Sequence, residues 1–143
     1  MNILDIFDVV GLVVVAGVFG VMAFFSFVVA PVTFIHLDEA TAGRFIRSLF
    51  PWYYLTLIVL PFIGAASLSA THYIDASIMA LIALGAVFSR QILLPRINGY
   101  RDRMLSGDIS AEKKFDGLHR LSVLINGVQL LGAFAVLVHL AIT

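Results

Sequence analysis

Four apolar stretches, each long enough to cross a lipid bilayer, leave this chain little choice of fold. A spanning helix needs about 20 mostly apolar residues. The first stretch runs from about Ile6 to Ile35 and the second from about Pro51 to Ala70. The third starts near Ala76, stays apolar to Phe88 and continues as a more polar helix towards Leu105. The fourth starts near Ser110 or Ala111 and is strongly apolar from Leu121 to Ile142. In a chain of 143 residues these segments take up most of the length. The expectation is one all-α domain, residues 1–143, folded as a four-transmembrane-helix bundle. Composition agrees: 61% of residues are hydrophobic and 13% charged, with a mean hydropathy of +1.03. A soluble domain this small has too much surface for its volume to hide so much apolar area. Asp5 and Asp8 stand where a secretory signal would carry basic residues, so the first stretch reads as a retained helix.

Net charge is zero, but the charges are sorted. Arg44 and Arg47 lie in the first connection. Arg90, Arg96, Arg101, Arg103, Lys113, Lys114 and Arg120 lie in the third. Together these are all nine Lys and Arg of the chain. Basic loops stay on the cytoplasmic side, so loops 36–50 and 89–120 are expected in the cytoplasm and both termini outside, in a bacterial inner membrane. The partner this implies is the lipid bilayer, with a homo-oligomer as a further expectation. No basic tail or domain points to nucleic acid. The absence of cysteine excludes disulfides, thiolate metal sites and a Cys nucleophile in this chain.

The connections carry structure of their own. Asp38 is placed to cap a helix. After it, Ala42, Phe45, Ile46 and Leu49 share one face, which predicts a short amphipathic interfacial helix between helices 1 and 2. Pro51 suits the first turn of the second span, and Trp52, Tyr53 and Tyr54 follow at anchor depth. Leu93, Ile97, Tyr100 and Met104 keep helical spacing beyond the third span. Ser106-Gly107-Asp108 then signals a turn, and Ser110 is the expected cap of the returning helix, giving a helical hairpin. Pro31 and Pro61 each remove a backbone bond inside a span, which bends the bundle or opens a space beside the kink.

Chemistry concentrates in the fourth span. His119, Ser122, Asn126 and Gln129 fall on one helical face. Asn126 and Gln129 lie roughly 10 to 15 Å along the helix from His119, inside the apolar region. Polar side chains there face the bundle interior. They either lock helix register through interhelical hydrogen bonds or line a site with His119 and Arg120 at its mouth. Ser26, Thr33 and His36 offer a similar face on the first span, and Arg90, Gln91 and Asn98 lie on the same side in the third. His36 and His119 are expected at similar depth. Two such histidines suit the axial positions of a haem b, with Arg90 and Arg120 for its propionates, or a partial site for a metal ion. Asn98, Ser122, Asn126 and Gln129 complete the candidate binding residues. His72 and His139 read as interfacial residues of the opposite half. The spans carry no internal carboxylate for a proton relay, and the chain has no phosphate-binding glycine loop or nucleophile elbow. Three readings stay open: a haem- or metal-binding redox protein, a small oligomeric transporter or channel, and a membrane scaffold or partner subunit. The pattern assigns no reaction.

The order of several short segments is also distinctive. Phe24 to Pro31, Ala42-Gly43-Arg44, Phe50 to Tyr54, Leu93 to Asn98 and Leu118 to Asn126 occur in sequence. In these the chain resembles the TMEM205-like (DUF4149) family, a domain of unknown function, from about Gly17 to Gln129. That resemblance implies a four-helix membrane protein and no reaction. The layout is more distantly similar to the copper-resistance D type and to the HemJ type of haem-binding protein. These similarities imply metal or haem by fold analogy, although the chain has no Met-rich or Cys-bearing copper motif.

Overall fold

A computed structural model describes residues 3–143 and, across them, a bundle of four long helical segments. The first segment is α1 (Ile3–Phe24), a π-helical turn π1 (Phe25–Val29) and α2 (Ala30–His36). The second is α3 (Glu39–Leu68). The third is α4 (Tyr73–Phe88), a second π-helical turn π2 (Ser89–Leu93) and α5 (Leu94–Leu105). The fourth is α6 (Ser110–Ile142). Each contains a window long and apolar enough to span a membrane. Together they make an all-helical membrane protein.

The two π turns have one cause in common. Proline has no N–H, and its ring collides with the carbonyl four residues back. In π1 the Ala30 N–H reaches Phe25 O, five residues back, and Pro31 follows. In π2 the Leu94 N–H reaches Ser89 O in the same way, and Pro95 follows. Widening the turn by one residue makes room for the ring. It also places Ser26 and Ser89, each at a π turn, towards the neighbouring helices. Pro51 and Pro61 are accommodated within α3 without such a turn.

The core forms along the helix stripes that face inward. Val15, Val18 and Met22 of α1 meet Tyr53, Tyr54 and Leu57 of α3, Met79, Ile82 and Ala86 of α4, and Ala133 and Val136 of α6. α3 packs on α4 and α1, and α6 packs on α1, α4 and α5. Large apolar side chains such as Phe27, Phe34, Phe62, Leu81, Leu124 and Leu131 point outward instead. Apolar residues on all faces mark helices whose outer solvent is hydrocarbon.

The connecting segments pack tightly. Asp38 caps α3 as expected, accepting the Thr41 N–H at 3.0 Å. Hydrogen bonds from Thr41 hold its carboxyl below the usual range. The amphipathic stretch after it is helical, but it runs straight into the second span as the first turns of α3. It docks on α5: the Arg101 guanidinium lies where a side chain on Gly43 would be, and Arg47 grips Asp102 through two bonds of 2.6 and 3.1 Å. The turn between α5 and α6 needs Gly107 at a φ of 98°. Its cap is Asp108 rather than Ser110: the Asp108 carboxylate accepts the Ser110 N–H at 3.0 Å and pairs with Arg103 at 2.6 Å. The Asp108 carboxylate accepts four bonds there, two from Arg103 and two from Ser110, whose hydroxyl is itself a donor.

Candidate functional site

Polar side chains from three helices meet between the two π turns. Tyr53 of α3 donates its hydroxyl to the Asn126 side-chain oxygen at 2.5 Å. The Asn126 amide donates in turn to Ser26 Oγ at 3.1 Å. The Tyr53 ring stacks on Phe25, with centroids 4.2 Å apart, which fixes the hydroxyl's direction. Sequence periodicity places Asn126 on the inward face of α6. Its partners follow from how π1 and α3 pack around it.

One turn along α6, Gln129 is buried against α4. Its amide donates to Ile82 O at 2.9 Å. A Cβ at position 85 would sit 2.8 Å from Gln129 Nε2, so the amide could keep this place only against glycine and would otherwise have to shift. The Gln129 side-chain oxygen is buried and has no donor. Ser89, 1% exposed, faces Tyr54 without a well-formed hydrogen bond. Arg90 donates through Nε to Pro51 O at 3.2 Å, tying π2 to α3. The centre therefore combines neutral donors and acceptors with one guanidinium at its rim.

The other candidate residues are not drawn into this network. Ser122 donates to His119 O of its own helix at 2.8 Å, and Thr33 likewise to Val29 O at 2.7 Å. His36 is exposed at the end of α2. His119 is exposed and stacks on Phe115 one turn back, with centroids 5.9 Å apart. Asn98 is half-buried in α5. Arg120 lines a shallow groove of about 420 Å³ with Lys113 and Asp116.

Among the described residues, the histidines that come together are His72 and His139, at the opposite end of the bundle. His139 Nδ1 lies 2.7 Å from Asp75 Oδ2 and His72 Nδ1 lies 3.7 Å from the same oxygen. Asp75, in the first turn of α4, is buried. The only sequence signal for this cluster is the His72-x-x-Asp75 spacing. His139 enters it because the last turn of α6 returns to the first turn of α4.

Fold and site together define a polytopic α-helical membrane protein with a neutral polar centre between two π turns. The chain belongs to the family described as domain of unknown function DUF4149, whose model matches residues 13–106. That match takes in π1, α3, π2 and α5 and stops before α6, which supplies Asn126, Gln129 and His139. No curated protein and no solved structure matches the chain in the same comparisons.

Proposed function

We propose that this protein binds a small, neutral, hydrogen-bonding solute at the polar centre and passes it across the membrane. The observation that carries the reading is the Gln129 side-chain oxygen, buried without a donor beside Gly85. An unsatisfied buried acceptor costs about 1–3 kcal/mol, so this oxygen calls for a donor other than the protein's own side chains, which a water or a bound solute supplies. The nearby side chains offer hydroxyls and carboxamides and no carboxylate, which suits amides and polyols better than metal ions. Four helices enclose a narrow interior, so the reading includes association of two or more copies. It also takes the basic end as cytoplasmic, in a bacterial inner membrane, by the positive-inside rule.

Proteoliposomes report on this directly. Urea or glycerol influx followed by light scattering is expected to exceed that of empty vesicles and to fall several-fold in Gln129→Leu. Influx no faster than in empty vesicles would sink the proposal. One observation favours a second reading, a scaffold: Ser26, Asn126 and Tyr53 already satisfy one another. Reduced stability with partner binding and solute influx unchanged in an Asn126→Leu, Gln129→Leu double variant would fit that reading. The haem reading at His36 and His119 is weaker, because both imidazoles face outward. A Soret band that disappears in His119→Ala would restore it.

A further inference from the structure

The acidic end of the bundle holds a second constellation, independent of the polar centre. One ligand atom from each of His72, Asp75 and His139 lies within 4.8 Å of the other two. The three come from separate places: His72 precedes α4, Asp75 sits in its first turn, and His139 sits in the last turn of α6. Asp75 is 3% exposed, yet all nine Lys and Arg lie in the two basic connections at the other end. Among the described residues the groups that face this carboxylate are the two imidazoles, His139 Nδ1 at 2.7 Å and His72 Nδ1 at 3.7 Å, and a buried carboxylate needs such partners to offset its desolvation. A divalent cation would engage all three groups together, since imidazole nitrogen and carboxylate oxygen are both ligands for it.

We propose that His72, Asp75 and His139 form a divalent-cation site of the zinc class. Two nitrogens and one oxygen, with no sulfur, match borderline ions such as Zn²⁺ or Co²⁺ and disfavour Cu⁺. Three protein ligands leave a coordination position for water or another ligand. Ligand atoms around zinc lie about 3.3 Å from one another, given metal–ligand distances near 2.0–2.1 Å. To reach that spacing His139 Nδ1 moves out from 2.7 Å and His72 Nδ1 moves in from 3.7 Å of Asp75 Oδ2, and the half-exposed His139 has room to do so. Charge around the site favours cation entry. Asp8 of α1 accepts a hydrogen bond from Thr71, the residue before His72, and Asp5 lies one turn away on the same helix. An ion held there clamps the last turn of α6 to the first turn of α4.

The test uses the full chain purified without a polyhistidine tag and stripped with chelator. Equilibrium dialysis with Zn²⁺ is expected to give one ion per chain, and Co²⁺ is expected to give visible ligand-field bands. His139→Gln, at a half-exposed position that leaves the fold intact by circular dichroism, is expected to weaken binding more than about tenfold. Asp75→Asn is expected to do the same, and the His36→Ala, His119→Ala double variant to bind as wild type. Absence of binding by the folded wild type overturns the proposal. So does binding undiminished in His139→Gln, or displacement of Zn²⁺ by equimolar Mg²⁺.

Discussion

Asn126 holds three helices through one carboxamide. Its oxygen takes the Tyr53 hydroxyl and its nitrogen reaches Ser26. Interhelical hydrogen bonds in membranes average only about 0.6 kcal/mol, but truncating one partner leaves the other unpaired, and that penalty is larger than the bond itself. Tyr53→Phe is therefore expected to destabilise the protein by about 1 kcal/mol. In an Asn126→Leu background the same change is expected to be nearly silent. Reversible unfolding in mixed detergent micelles would measure the cycle, and additive losses would show that the two side chains are not coupled. The sequence makes Asn126 and Gln129 legible because a carboxamide in hydrocarbon has to face inward. Their partners are not legible. Nothing in the local pattern separates Tyr53, read there as an interfacial anchor, from Trp52, which does face outward. The side on which each falls depends on how α3 is rotated against α1 and α6.

At the scale of helices, close approach is the controlling quantity. α4 and α6 meet where Gly85 lies under Gln129. In Gly85→Ala the new methyl forces Gln129 off the Ile82 carbonyl or pushes the helices apart. A loss of about 1–2 kcal/mol is expected, since a buried polar group loses its partner. Shortening the opposing side chain in Gly85→Ala, Gln129→Ala removes the overlap, so the second substitution should cost far less than in wild type. If the double variant unfolds as easily as the two losses summed, the contact is not the reason for the glycine. The π turns belong to this scale as well. Pro31 and Pro61 are visible in the sequence as breaks in backbone bonding with a bend expected beside each, but the π turns precede Pro31 and Pro95 while Pro61 stays within α3. The extra residue in each turn is a tertiary outcome. Each turn carries the helix on into α2 or α5, whereas Pro51 and Pro61 lie within α3 without such a turn.

For the whole molecule, the bundle has a basic and an acidic end. Arg47 with Asp102, and Arg103 with Asp108, order the basic end around α5. These pairs are exposed and contribute little to stability; their weight is in placing charge. The proposed sidedness can be read out easily because the chain has no cysteine. A single cysteine introduced as Ser106→Cys should be protected from a membrane-impermeant maleimide in intact cells, and Thr143→Cys should be labelled. The reverse pattern would invert the topology. The sequence by itself determined the number of spans, their all-helical nature, the separation of charge between the ends and the inward face of α6. Each of these follows from the cost of placing polar groups in hydrocarbon, which acts residue by residue. Only the tertiary structure decided which polar groups meet. It joined Ser26, Tyr53 and Asn126 while leaving His36 and His119 on the outside, and it brought His139 to Asp75 across 64 positions of chain. Helix rotation and the return of distant ends are settled by packing many side chains at once, and no local spacing carries that information.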